Sequence, residues 1–206
     1  MEMNIAVIPG DGIGPEITTA AIIVLEAIAE KYGHVLNLQY VKACSQSVEE
    51  SGEPLPKEAL ETCLQADAVL LGNTGLEKYK NLPLSKRPEY ALLKLRKELK
   101  VTTNIRPVHV YPELKLLSPL NQNALSKGLD YLFVRDIAGG VLCSDQVKGE
   151  GENGPEAYEY EYYNQKIVEE TAGFAFELAK ARKGKVVSLD KANVLGSSRL
   201  WRKTVR

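Results

Sequence analysis

The sequence has 206 residues, 44% of them hydrophobic and 26% charged, enough apolar material for one or two cores and too much for a globally disordered chain. Its 26 Lys and Arg balance 27 Asp and Glu, so it offers no basic field to a nucleic-acid backbone. No apolar run is long enough to cross a bilayer, and the first ten residues lack the basic start and apolar core of a signal peptide, so a cytoplasmic location is expected. Cys44, Cys63 and Cys143 are widely spaced and form no Cys-x-x-Cys pair, a pattern of reduced, buried or half-buried thiols.

Asn4 to Pro9 reads as a short strand closed by Gly10-Asp11-Gly12, after which Pro15 and Glu16 suit the first turn of a helix that Gly33 stops. Within that helix Ile17, Ala20, Ala21, Val24, Leu25 and Ile28 recur at helical spacing and predict its buried face. Leu36 to Val41 alternates as a strand, Pro56 to Ala66 reads as a helix, and Ala68 to Leu71 is a buried-strand run ending at Gly72. Pro88 opens a helix through Lys100, and Val101 to Val108 and Leu129 to Val134 are again extended. Alternating strands and helices predict an α/β chain with a largely parallel sheet. Lys148 to Pro155 and the tyrosines at 158, 160, 162 and 163 suggest a projecting arm. Ile167 to Ala181 predicts a long amphipathic helix ended by Gly184, Lys185 to Leu189 a strand, and a last helix begins near Ser197.

Gly10-Asp11-Gly12-Ile13-Gly14 between a strand and a helix invites a dinucleotide reading, but the Rossmann fingerprint puts its third glycine where Pro15 stands. The alternative is a glycine-rich tight turn. Arg96, Arg106 and Arg135 fall at predicted element ends, positions that can converge on a cleft, and planar guanidinium groups hold carboxylates in a bidentate way. Taken singly, each is an ordinary surface arginine. Lys191 follows Asp190 at a predicted strand end and precedes Asn193, where it can serve either as a general base or as plain surface charge.

Several strings in order then carry a resemblance over essentially the whole chain: IAVIPGDGIGPE at 5–16, LLKLRKEL at 92–99, NIRP at 104–107, VRDIAGG at 134–140 and SLDKANVLGSSRLWRKTV at 188–205. Together they resemble the isopropylmalate and isocitrate dehydrogenase superfamily, the β-decarboxylating dehydrogenases. Glu89 and Leu92 beside Arg96 look like its isopropylmalate-specific members, in which the leucine packs on the isopropyl group. The resemblance implies a three-layer α/β/α fold, incomplete here, with a first domain over 1–100 and a second over 101–206 carrying the substrate arginines, arm and dimer helix. It implies NAD-dependent oxidative decarboxylation of 3-isopropylmalate to 2-oxoisocaproate in leucine biosynthesis, with Mg2+ or Mn2+ as Lewis acid. By the same resemblance, Arg96, Arg106 and Arg135 hold the malate carboxylates, Lys191 from the partner subunit of a homodimer takes the hydroxyl proton, and Asn193 lies near substrate and nicotinamide. Ile13 and Glu89 line the nicotinamide side.

Leu142 stands where the family places the tyrosine that protonates the enol, and leucine has no proton to give. Cys143 and Asp145 are the neighbouring substitutes, and a residue next along a strand points to the opposite face. Leu76-Glu77 stands where Gly-Pro is common in the family. The metal-binding aspartates and the adenosine loop fall past Arg206 in the family, so a truncated and inactive form is expected. Two rival readings are a non-catalytic dimerisation or dicarboxylate-binding module, and a sister dehydrogenase acting on tartrate, isocitrate or homoisocitrate.

Overall fold

The structure is a computed structural model that describes residues 1–126, 128–144 and 147–206, apart from the side chain of Leu142. The chain divides into two compact units, Met1–Lys100 and Val101–Arg206.

In the first unit β1 (Glu2–Gly10), β2 (Val35–Tyr40) and β3 (Ala68–Asn73) form a parallel sheet in the order β2-β1-β3. The central strand is apolar throughout its middle because both of its faces are covered. Ile5 and Val7 point to one side and meet Ile22 of α1 (Gly14–Tyr32). Ala6 and Ile8 point to the other and join Cys44, Leu55, Ala59, Cys63, Ala91 and Leu95. That second layer is built by α2 (Cys44–Ser51), α3 (Lys57–Gln65) and α4 (Tyr90–Glu98). The parallel-sheet expectation holds here, while α2 goes unpredicted because its polar stretch has no apolar period.

The predicted face of α1 needs correction. Its buried stripe is Gly14, Thr18, Ile22 and Ala29, whereas Ile17, Val24 and Ile28 are exposed and Ala21 and Leu25 are half-buried. The helix carries more apolar residues than one face can hold, and a small residue, Gly14, decides which stripe can approach the strands. Gly33 caps the helix in the left-handed conformation, as expected.

In the second unit β4 (Thr103–Val110) and β5 (Leu129–Asp136) pair antiparallel along their whole length, so the parallel pairing expected of most of the chain's sheet is found in the first unit and not in this ladder. A two-stranded hairpin, β6 (Val147–Gly151) with β7 (Gly154–Tyr158), forms over the glycine-rich stretch, and the following tyrosines leave the strand after Tyr158. α5 (Gln165–Lys180) begins at Asn164, whose side-chain oxygen accepts from the Ile167 N–H, and packs Val168 and Thr171 inward. Lys185 to Leu189 does not form the predicted strand, because among the described residues no neighbouring backbone supplies a ladder. α6 (Gly196–Val205) follows, and Trp201 on it is covered by its own unit, stacking edge-on to Tyr163 at 5.6 Å and donating its indole N–H to Ser188 Oγ at 2.9 Å. No described helix is long and apolar enough to cross a membrane.

The corrected helix face is directly testable by urea unfolding. Ile22→Ala, at a site 7% exposed, is expected to cost about 2–5 kcal/mol. Ile23→Ala, at a site 61% exposed, is expected to stay within about 0.5 kcal/mol of the parent. Equal losses at both positions would contradict the assignment.

Candidate active site

At the carboxyl ends of the parallel strands, three loops are tied together by one carboxylate. Asp11 is 2% exposed. It accepts hydrogen bonds from the Ser45 N–H at 2.8 Å, the Gly75 N–H at 2.7 Å and the Ser45 hydroxyl, while its own N–H donates to the Asn73 carbonyl at 2.7 Å. The loops after β1, β2 and β3 are thereby fixed at the edge where open α/β sheets bind ligands. The flanking glycines answer to this packing. A methyl on Gly10 would lie 2.0 Å from the Asn73 carbonyl oxygen, and one on Gly14 would lie 2.3 Å from that of Pro9. These positions face backbone rather than a phosphate cradle, which favours the tight-turn reading over a Rossmann pyrophosphate site. Cys44, fully buried at the start of α2, has its thiol pushed up to about 12 by burial, with the Asp11 and Glu89 carboxylates adding to the shift.

Ile13 follows this turn and is 52% exposed, an apolar side chain left open at the loop. Glu89, just before α4, occupies the space over Gly75, where a methyl would lie 2.4 Å from its Oε1. Its Oε2 is shielded from solvent and has no hydrogen-bond partner among the described residues. A buried acceptor left open in this way is costly, and a ligand donor would satisfy it. Leu92 and Arg96 follow at helical spacing on the same side of α4, both half-buried, with Arg96 in the last turn as expected.

In the second unit Arg106 lies in the middle of β4, not at its end, because the strand runs on to Val110. Arg135 is the penultimate residue of β5, as expected. The register pairs Asn104 with Arg135 and Arg106 with Phe133, so both arginines project from the same face as diagonal neighbours, roughly 7–8 Å apart at Cα. Both are exposed, and Arg106 Nε donates to Asn104 Oδ1 at 2.8 Å. Arg135 also borders a cavity of about 390 Å3 whose wall includes Gly140, Tyr163, Asp190 and Trp201.

Lys191 and Asn193 are exposed in a turn before α6 and not at a strand end, since the preceding segment is unpaired. The chain after Gly140 forms a single 3-10 turn, Val141–Cys143, so the strand argument about neighbouring residues does not apply there. The Leu142 side chain and Asp145 lie outside the described residues. Cys143 is exposed, against expectation; its thiol donates to the Ile137 carbonyl at 3.2 Å and is held above the usual thiol range by partial burial and by Asp136. Cys44 and Cys63 are buried free thiols, as expected. Among the described residues no three His, Cys, Asp or Glu side chains gather as a metal site would require.

Three features escape a reading of the sequence. Asp11 meets partners 34 and 64 residues away. Tyr163 fills the space at Gly139 and Gly140, where a methyl would lie 2.7 Å from its ring or 3.0 Å from its hydroxyl; burial, then Asp136, pushes that phenol up to about 12. Asp190 pairs with Arg202 a full element later. The only local signal is a polar residue at a turn, which is common and unspecific.

The sequence matches the isocitrate/isopropylmalate dehydrogenase family over residues 4–206. It is 47% identical to a 3-isopropylmalate dehydrogenase of Clostridium pasteurianum over 99% of this chain and 57% of that protein. It is 45% identical to one of Thermotoga maritima over 98% of this chain and 57% of that protein. Among solved structures, a β-decarboxylating dehydrogenase of Thermococcus kodakarensis superposes with a TM-score of 0.73 at 30% identity, covering 98% of this chain and 53% of that one. An isocitrate dehydrogenase of Methylococcus capsulatus, at 24% identity and TM-score 0.67, covers 98% of this chain and 56% of that one and shares the fold. The chain thus spans a little over half the length of these relatives. With a match that takes in the turn at Asp11, the strand arginines and the Lys191 segment alike, the chain belongs to the isocitrate/isopropylmalate dehydrogenase family.

Proposed function

We propose that the chain takes part in NAD-dependent oxidative decarboxylation of 3-isopropylmalate to 2-oxoisocaproate, contributing groups that bind the substrate and remove its hydroxyl proton. The observation that carries this reading is the pair Arg106 and Arg135 on one face of the β4–β5 ladder, in a chain 47% identical to a 3-isopropylmalate dehydrogenase. Paired guanidinium groups suit a small dicarboxylate, and Arg96 is assigned to the same substrate. Leu92, one turn before Arg96, offers the apolar contact that the isopropyl group needs. Lys191 takes the hydroxyl proton and Asn193 lies near the substrate and the nicotinamide.

The open acceptor Glu89 Oε2 and the exposed Ile13 fit a nicotinamide, which presents a carboxamide donor and a flat apolar ring. NAD, when bound, supplies the hydride acceptor. Among the described residues no carboxylate cluster gathers that would hold Mg2+ or Mn2+. Leu142 has no proton to give an enolate. In the same reading the protein is a homodimer in which Lys191 serves the partner's arginines. This is supported by the β6–β7 hairpin, since an isolated two-stranded hairpin is marginal in water.

Calorimetry on the 206-residue chain tests the substrate. It is expected to bind 3-isopropylmalate more tightly than tartrate, and Arg106→Met is expected to weaken binding about 10–100-fold, the worth of one charged hydrogen bond at roughly 1.5–3 kcal/mol. Leu92→Ser is expected to reduce the preference for the isopropyl acid by about 10–200-fold. Equal affinity for tartrate, untouched by either change, would point to a sister enzyme. In a protein carrying this segment and turning over 3-isopropylmalate, Leu142→Tyr is expected to raise 2-oxoisocaproate formation about 10²–10⁴-fold, the usual worth of a general acid; an unchanged rate places residue 142 away from the acid's position. Sedimentation velocity is expected to show a concentration-dependent dimer, and a single monomer boundary at every concentration contradicts the paired arrangement.

A further inference from the structure

The turn that carries Lys191 and Asn193 is gripped from one side by α6. Both oxygens of Asp190 are engaged. Oδ1 accepts from Arg202 Nη2 at 2.6 Å and from the Ala192 N–H at 2.9 Å, and Oδ2 accepts from Arg202 Nε at 2.9 Å. This is a two-point guanidinium-carboxylate pair on a carboxylate whose side chain is only 8% exposed. Arg199, one turn earlier, donates to the carbonyls of Ala192 at 3.4 Å and Val194 at 3.2 Å. The turn closes on itself through the N–H groups of Val194 and Leu195, which both donate to the Lys191 carbonyl at 3.0 Å. Trp201, between the two arginines on the same helix, donates to Ser188 at 2.9 Å and fixes the approach to the turn.

We infer that Arg202 is a positioning residue that, acting through Asp190 and supported by Arg199, fixes the Lys191–Asn193 turn in the geometry needed to reach the substrate. The inference rests on the roles proposed above for Lys191 and Asn193. Lys191 and Asn193 are exposed, and among the described residues neither side chain makes a hydrogen bond, so their placement depends on how the turn is anchored. Two features make the anchor specific. The bidentate fork sets angle as well as distance, which a lysine at 202 cannot reproduce. Engaging Asp190 also keeps that carboxylate on Arg202 rather than available to the ammonium of the next residue. Arg202 holds the Asp190 carboxyl below the usual carboxylate range, with the Ala192 N–H as the next cause. The pair therefore stays charged, and the turn anchored, as pH falls to the ordinary aspartate pKa; the anchor is lost only on further acidification.

The test is NMR relaxation on the 206-residue chain and its variants Arg202→Met, Arg202→Lys and Asp190→Asn. In the parent, backbone N–H order parameters for Ala192 to Leu195 are expected near the rigid value of about 0.85, with the Asn193 side-chain amide giving one sharp pair of signals. In Arg202→Met and Asp190→Asn the turn values are expected to fall toward about 0.6 while those of α5 and β5 stay at the parent level; Arg202→Lys is expected to restore them only in part. Turn values unchanged in Arg202→Met would overturn the proposal. So would a loss that spreads equally through α5 and β5, since Arg202 would then hold the unit together rather than place the turn. Calorimetry with 3-isopropylmalate on the same parent sample separates the two claims: absence of binding counts against the substrate reading alone, whereas an unresponsive turn counts against the role of Arg202 alone.

Discussion

The first unit depends on a buried carboxylate. Removing Asp11 from water without compensation would cost several kcal/mol, and the cost is offset because two backbone N–H groups and one hydroxyl converge on it. That convergence requires the loops after all three parallel strands to come within hydrogen-bond distance of one another. The close approach in turn requires glycine at 10 and 14, where a side chain would collide with strand carbonyls. A surface of preset shape results, with Ile13 open beside it and the unsatisfied Glu89 oxygen nearby. The glycine-rich turn serves the architecture first and any ligand second.

The second unit solves a different problem by similar means. The side chains proposed to meet the substrate stand on a two-stranded antiparallel ladder and on a turn, neither rigid by itself. The ladder is braced by α5, through the buried Val168 and through Thr171, which donates to Asp136 at 3.3 Å. The same Asp136 accepts from the N–H groups of Ala138 and Gly139, so the bend that carries the chain past Leu142 is set by the strand residue next to Arg135. Asp136 at the strand end thus holds the bend, while Arg106 and Arg135 stay exposed on one face of the ladder.

Much of the fold was legible because local rules act alone where burial is symmetrical. The apolar middle of β1 and the capping Gly33 need no knowledge of distant residues. The face of α1 was not legible: Ile17, Ile22, Ile23, Val24 and Ile28 surround the helix, and periodicity cannot choose among them when the choice is made by the close packing of Gly14. The Lys185–Leu189 segment has strand composition, but a strand also needs a partner edge, which composition does not reveal. The candidate site was legible only as residue types. Arg106 and Arg135 could be named, yet their common face follows from a register that pairs Asn104 with Arg135. Asp11 and Tyr163 were invisible because each meets partners far along the sequence, and the Asp190–Arg202 pair because it depends on how the turn before α6 folds back on that helix.

In the proposed reading the β4–β5 face holds a dicarboxylate between two arginines. The most direct measurement is arginine side-chain Nε NMR during titration with 3-isopropylmalate. The Arg106 and Arg135 signals are expected to shift together and saturate at the same ligand concentration, with Arg106 giving up its bond to Asn104. Signals that stay fixed while the acid binds elsewhere, or that shift independently at different concentrations, would contradict it.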